Sequence, residues 1–241
     1  MQKNILIIVP VLNEAKNIKP LINKIFIQLK KEKKDILFID DNSTDGTRQE
    51  IINFQNRFKN IIHLIKREKK LGIGSAHKCG LKWGYKKKYK IIITMDSDGT
   101  HDPSYINKML KLLKEKKCLI TSTNRFLDKK SLVSWTLWRK FLTSFRHILI
   151  QIMLGIKFDS SGAFRGYIVK EVKLKDILKA ENNSYSFFWE SIYILSRKYK
   201  VKEIPIKLPA RVSGSSKMKV RDIITALSYL FFFSFYKRFF I

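Results

Sequence analysis

Short isoleucine-rich runs alternate with amphipathic stretches through the first half of the chain, and that order limits the fold more than any other feature. Residues 5–9, 36–39, 61–65, 91–95 and 119–122 form runs of four or five residues, mostly without polar alternation. Runs of this kind are strands covered on both faces, as in a parallel sheet. Between them, spans 17–31, 47–58, 74–86 and 103–116 carry apolar residues at helical spacing. Asp102-Pro103 suits the start of the last, with Asp as N-cap and Pro in the first turn. The order predicts an α/β chain with a doubly wound, mostly parallel sheet. Ligands bind such sheets beyond the carboxyl ends of the strands. The first strand runs out into residues 10–14, the second into 40–45 and the fourth into 96–98, so three polar clusters should share one rim.

The chain has 241 residues, 45% of them apolar, enough for one sizeable core and a short tail. Lys and Arg number 49 against 20 Asp and Glu, a formal charge of +29 that favours anionic partners. Nucleic acid is not the expected partner, because the predicted rim is acidic and would repel a phosphate backbone. Cys79 and Cys118 lie far apart without metal-type spacing, which fits a reducing compartment. The run 5–9 is too short for a signal-peptide core.

Asp96-Ser97-Asp98 leaves the fourth strand with two carboxylates one residue apart. Such a pair suits Mg²⁺ or Mn²⁺, hard cations that take oxygen ligands and fill their shell with water and substrate phosphates. A turn with Asp as a backbone acceptor is the structural alternative. At the second strand end, Asp40 or Asp41 is placed to accept from a base or ribose, while Thr44 or Asp45 caps the next helix. Gly72 and Gly74 mark a turn entering a helix, where backbone can approach a ligand. Beyond residue 125 the pattern predicts a long helix over 132–154, a loop at 157–166, a helix over 187–200 and a strand over 202–208.

These segments resemble the inverting family-two glycosyltransferases of the GT-A (nucleotide-diphospho-sugar transferase) fold, and within them the polyprenyl-phosphate and dolichol-phosphate sugar transferases. The resemblance rests on Pro10-Val11-Leu12-Asn13-Glu14, on Asp40-Asp41-Asn42-Ser43-Thr44-Asp45-Gly46-Thr47, on the glycine turn ending at Ala76, and on Asp96-Ser97-Asp98 with His101 and Pro103. It continues through Thr123-Asn124-Arg125, Asp159-Ser160-Ser161-Gly162-Ala163-Phe164-Arg165, and Glu203-Ile204-Pro205-Ile206 with Arg211 and Gly214-Ser215-Ser216-Lys217. The resemblance implies a catalytic domain over 1–218, GDP-mannose as donor and a metal on Asp96 and Asp98. It implies donor contacts from Pro10, Asn13, Glu14, Asp40, Asp41, Gly72, Ala76 and Asp96. Arg125, Arg165, Arg211, Ser216 and Lys217 would cradle the acceptor phosphate and the diphosphate, with Asp98 and the four cations carrying catalysis. Departures from the pattern at Gly99, Thr100, Asp102, Thr123, Asn124 and Ala163 bear on the sugar and on the third metal ligand. A UDP-sugar donor is the alternative. Glu190 is either a contact in the site or half of a structural ion pair. His101 reads as a turn residue and not a base.

Apolar side chains at 135, 138, 142, 145, 149 and 152 oppose Arg139, Lys140, Arg146 and His147. That pattern, with its two tryptophans, suits a basic helix lying in a membrane interface within the domain. The tail 219–241 contains an apolar stretch over 223–236, shorter than the roughly 20 residues a spanning helix takes. It is expected to associate with the membrane, as a second interfacial or re-entrant helix or by docking on a small membrane subunit. The implied location is a membrane-associated domain on the cytoplasmic face.

Overall fold

The computed structural model describes residues 4–209 and 220–236. The predicted alternation is present: β1 (Ile5–Val11), α1 (Ala15–Gln28), β2 (Lys34–Asp40), α2 (Thr47–Arg57), β3 (Ile62–Lys66), α3 (Ile73–Lys86), β4 (Ile91–Thr94), α4 (Tyr105–Lys114) and β5 (Ile120–Asn124). A 3-10 turn (Arg125–Leu127) follows, then α5 (Leu137–Leu154), β6 (Arg165–Ile168), α6 (Leu174–Leu178), α7 (Ser186–Ser196), β7 (Val201–Pro205) and α8 (Val220–Phe235). The strands form one sheet in the order β3-β2-β1-β4-β6-β5-β7. Every pairing is parallel except those of β6, which runs antiparallel to both β4 and β5.

Successive strand side chains point to opposite faces, and the core divides accordingly. Leu6, Ile8, Leu37 and Ile92 face α3, α6, α7 and α8. Ile5, Ile7, Phe38 and Ile93 face α1 and α4. Both faces are covered, which is why the runs lack polar alternation. Gly80 and Gly84, one turn apart on α3, let that helix settle on the sheet. A Cβ at Gly80 would lie 2.5 Å from Ile8 Cγ2, and one at Gly84 2.7 Å from Ile92 Cδ1.

Three segments differ from expectation. Helix α4 starts at Tyr105, because Asp102 and Pro103 form the preceding turn, in which Asp102 Oδ1 accepts from the Ser104 N–H at 2.8 Å. Helix α5 starts at Leu137, where Thr136 Oγ1 accepts from the Arg139 N–H, and stops at Gly155 in the left-handed region. Strand β6 replaces part of the loop expected at 157–166. Its four residues, Arg-Gly-Tyr-Ile, hold no apolar run. It exists because β4 and β5 offer free edges on either side, a tertiary cause invisible to local pattern.

The α3 glycines give a test with opposing contributions. Gly80→Ala should gain up to about 1 kcal/mol in helix propensity, while a 2.5 Å contact forces a shift costing about 1–3 kcal/mol. We expect net destabilisation of about 1 kcal/mol by chemical denaturation. A stabilised variant would show that Ile8 yields freely.

Candidate active site

β1 pairs with β2 on one side and β4 on the other, so the three strand exits meet at the rim where chain connections diverge. The Asp41 N–H donates to Val11 O at 3.0 Å and the Met95 N–H to Ile8 O at 3.0 Å, which carries the ladder to the edge of the site. There a cleft of about 290 Å³ is lined by Pro10, Glu14, Asp41, Gly72, Ala76, Asp96, Asp98, Thr100 and Arg125, among others.

The exits from β1 and β2 are stapled together. Asn13, with φ of 55°, accepts from the Thr44 N–H on Oδ1 at 2.8 Å, and its own N–H donates to Ser43 Oγ at 2.9 Å. The Glu14 N–H donates to Thr47 Oγ1 at 2.7 Å, and the Ala15 N–H to Asp45 Oδ2 at 3.1 Å. Asn13 therefore shapes this edge without lining the cleft. Gly46, in the left-handed region, takes the N-cap position of α2, with Asp45 Oδ1 accepting from the Thr47 N–H at 3.0 Å.

The structure separates the two neighbouring aspartates. Asp40 is fully buried, accepting from the Ser43 N–H at 3.0 Å and from Arg48 Nε at 2.8 Å. It closes the turn and does not reach the cleft, which corrects its assignment as a donor contact. Asp41 lines the cleft. It accepts from the Leu71 and Gly72 N–H groups at 3.1 and 3.3 Å, tying the glycine turn to β2. Arg67 Nη1 lies 3.2 Å from its Oδ1 but off hydrogen-bond alignment, so that contact is one of charge alone.

Asp98 is buried and oriented by Thr100, which donates its N–H at 3.1 Å and its hydroxyl at 2.6 Å to Oδ1. Asp96 is the more open carboxylate of the two. Its N–H donates to His101 Nδ1 at 2.9 Å. That nitrogen is thus an acceptor, and its 3.7 Å approach to Asp96 Oδ2 is not an ion pair. His101 stacks on Phe164 and fixes the turn. Among the described residues no group of three acidic, His or Cys side chains gathers into a cage. Two carboxylates on an open cleft fit a cation of the Mg²⁺ type, which keeps waters and substrate phosphates as its other ligands.

Across the cleft, Arg125 donates both its N–H and its Nε to Asp159 Oδ2, at 3.1 and 2.7 Å. Glu203 on β7 holds that arrangement, its Oε1 accepting from the Asp159 N–H at 2.7 Å and its Oε2 from Asn124 Nδ2 at 2.8 Å. Burial works to raise the Asp159 carboxyl, but the charge and hydrogen bonds of Arg125 outweigh it and hold the group below its ordinary range. Burial raises the Glu203 carboxyl. On α5, half-buried Arg146 is pushed down to about 10 by burial and then by Arg125.

Arg165 requires a correction. It is 1% exposed and turned toward α7, donating Nη1 to Ser191 Oγ at 2.8 Å and Nη2 to Phe188 O at 2.7 Å. Its place at the start of β6 sends it to the covered face of the sheet, so it cannot cradle a phosphate in the cleft. Its charge is felt inside the core, where His77 is pushed down to about 3, by burial first and then by Arg165 and His101. Arg211, Ser216 and Lys217 lie outside the described residues. Two cations line the cleft that the motif pattern leaves unmarked, Lys70 and Arg139. Lys70 ends a largely basic run directly before the glycine turn, a signal that was legible. Arg139 lies over the Trp135 ring at 3.6 Å, beside the mouth of the site. Only the fold shows that the first turn of α5 brings Arg139 to the cleft. Glu190 is buried in α7 and is not on the cleft wall.

Comparison with known proteins agrees with this architecture. The model of glycosyl transferase family 2 matches residues 6–173, from β1 to the turn before α6. An undecaprenyl-phosphate mannosyltransferase of Micrococcus luteus is 27% identical over 89% of this chain and 87% of its own length. A polyprenol monophosphomannose synthase of Mycolicibacterium smegmatis is 25% identical over 92% of this chain and 83% of its own. Among solved structures, glucosyl-3-phosphoglycerate synthase of Mycobacterium tuberculosis in complex with Mn²⁺, UDP and glucosyl-3-phosphoglycerate superposes with a TM-score of 0.63 at 15% identity, over 95% of this chain and 77% of that one. The same enzyme in complex with Mg²⁺ and UDP gives 0.63 at 16% identity, over 95% and 79%. A seven-stranded sheet of this order, an acidic exit from its fourth strand and a family match over more than half of its length make this chain a GT-A glycosyltransferase belonging to glycosyl transferase family 2.

Proposed function

We propose that this enzyme transfers mannose from GDP-mannose to a polyprenyl or dolichol phosphate at a membrane surface, with Mg²⁺ or Mn²⁺ as cofactor. The observation that carries the proposal is the union in one cleft of the Asp96–Asp98 pair with Arg125 and Arg139, at the foot of a helix whose apolar side faces outward. The two relatives named above, both polyprenyl-type mannosyltransferases, support the acceptor class and the sugar.

The acceptor decides what the protein must supply. A phosphate monoester has its second pKa at about 6 and is already an anion at neutral pH. Its oxygen attacks the sugar C1 as the bond from C1 to the nucleoside diphosphate breaks, and the electron pair leaves with the diphosphate. No proton has to be removed, so no general base is required. Two anions must instead be held together, the task of Arg125 and Arg139. Arg211, Ser216 and Lys217 join this set in the proposal. Asp96 and Asp98 would hold the cation, which would supply positive charge to the leaving diphosphate. Glu14, Asp41, Pro10 and the glycine turn through Ala76 line the nucleoside side.

Access to the lipid comes from α5. Trp138, Phe141 and Ile152 are 68%, 58% and 77% exposed, while Thr143, Ile150 and Leu154 are buried. On α8, which packs against α5 and α7, Phe232 and Phe235 are 53% and 65% exposed. No helix among the described residues is long and apolar enough to cross a membrane. The aromatic ladder Trp138–Phe141–Phe145 and the net charge of +29 fit a peripheral seat on anionic lipid at the cytoplasmic face. A small membrane subunit would meet the same surface.

Radiolabelled GDP-mannose, polyprenyl phosphate in vesicles and Mg²⁺ or Mn²⁺ should yield an acid-labile glycolipid, abolished by EDTA. Asp98→Asn should lower turnover at least about 100-fold with an unchanged melting temperature. Competition by UDP but not GDP would replace the donor, and EDTA-resistant activity would remove the metal. Phe141→Ser with Phe145→Ser should reduce recovery with anionic vesicles; full recovery would move the membrane seat elsewhere. Asp159→Asn leaves Arg125 without its counter-charge and should cost about 3–5 kcal/mol. The depressed Asp159 pKa means its contribution is complete above the ordinary carboxylate value of about 3.9. It is lost as pH falls through the lower folded value, so the variant's stability should change less than wild type below about pH 4. An unchanged acid limb would show that Asp159 is not the titrating group.

A further inference from the structure

One buried carboxylate touches both the lipid-facing helix and the wall of the donor site. Glu190 is 0% exposed. Its Oε1 accepts from the Glu181 N–H at 3.1 Å and from the Tyr229 hydroxyl at 2.9 Å, and its Oε2 accepts from the Asn182 N–H at 2.9 Å. Two of these donors are backbone groups of the 180–185 loop, and the third comes from α8.

That loop presses directly on the glycine turn. Asn183 O accepts from the Ser75 N–H at 3.1 Å, and Lys78 Nζ donates to Glu181 O at 2.8 Å. A Cβ on Gly72 would lie 2.3 Å from Asn183 O, and one on Gly74 2.6 Å from Phe187 Cβ. No side chain fits between loop and turn, so the position of one fixes the other. Ser184 and Tyr185 line the cleft beside Gly72 and Ala76. The third donor, Tyr229, rides on a helix held by aromatic contacts. Its ring lies 5.5 Å from Trp189, and Phe233 lies 5.1 Å from the same indole. The opposite side of α8 carries exposed Phe232 and Phe235.

We propose that Glu190 is a positioning residue that makes nucleoside-diphosphate binding depend on the seating of α8. With α8 in place, the Tyr229 hydroxyl fixes the carboxylate. The carboxylate holds the Glu181 and Asn182 amides, and the loop then clamps the glycine turn around the donor. Helix α8 is by this reasoning part of the donor site and not a detachable anchor. The inference rests on the donor side of the function proposed above and adds a residue that touches neither substrate.

Tyr229→Phe removes one hydroxyl and keeps the aromatic packing, while Glu190→Gln keeps the shape and places an amide NH₂ against donors. GDP and UDP affinity would be measured by calorimetry with the full chain, divalent metal present and no acceptor. Tyr229→Phe should raise the nucleotide Kd about three- to tenfold, the scale of one hydrogen bond, and Glu190→Gln by more. Hydrogen exchange at the Glu181 and Asn182 amides should quicken in both, with the acceptor KM unchanged. A purely structural role would lower the melting temperature and leave the nucleotide Kd as it is. Wild-type Kd in folded Tyr229→Phe and Glu190→Gln would overturn this inference alone. A wild-type protein that binds neither nucleotide would overturn the donor assignment and this inference with it.

Discussion

β1 is hydrogen-bonded in parallel to β2 along one edge and to β4 along the other, and the site follows from that pairing. Parallel strands end at the same side of a sheet, so every exit carries its polar residues to one rim. Val11 faces Asp40 in register, while Ile8 faces Thr94, one step before the turn that presents Asp96 and Asp98. Had any of these pairs been antiparallel, the acidic pair and Asp41 would lie at opposite ends of the core. The antiparallel intruder, β6, inserts on the far side of β4 and leaves this arrangement intact.

The carboxylates around the rim divide by what already satisfies them. Asp40, Asp45, Asp159 and Glu203 accept hydrogen bonds from the chain itself and hold loops in place. Asp96 and Asp98 face the open cleft, and Asp41 does both. A buried carboxylate is expensive unless donors meet it, so the internally satisfied set reports on backbone geometry. The cleft set keeps carboxylate oxygens on an open wall, and that is where a cation would gain most. The same division holds on the basic side. Arg165 is consumed by Ser191 and the Phe188 carbonyl, whereas Arg125 commits its Nε to Asp159 and still lines the cleft.

Much of this was legible in the sequence where local pattern and tertiary need agree. Isoleucine runs gave strands because both faces of those strands are covered, and acidic residues after three of them marked the rim. Where the determinant is a partner distant in the chain, reading fails. Asp40 and Asp41 are chemically identical, but Ser43 and Arg48 nearby take up the first, while the N–H groups of Leu71 and Gly72, some thirty residues away, tie the second to the glycine turn. Arg165 carries the residue type of a phosphate ligand, but strand register turns it inward. Arg139 carries the look of a solvated helix charge, but the packing of α5 turns it toward the site. Position along the chain names the candidates; the direction of the side chain is decided by the neighbouring elements.

Helix α5 leaves Leu137, Trp138, Phe141 and Phe145 exposed along its first half, and this ties the architecture to the proposed chemistry. A helix on a soluble domain turns its apolar stripe to the core. Here the inward side carries Thr143, Ile150 and Leu154, with Arg146 half-buried and His147 stacked on Phe126 at 3.9 Å. The outward side is a run of large apolar side chains. Turning the helix about its axis would bury the stripe, but it would bring apolar groups against Asp159 and Arg125 and remove Arg139 from the cleft. Charges at the site and the burial of Ile150 and Leu154 together fix the orientation of α5, and that orientation leaves large apolar side chains exposed to water. The lipid acceptor proposed above would resolve the conflict, its chain meeting the outer side of the helix while its phosphate reached the cations behind.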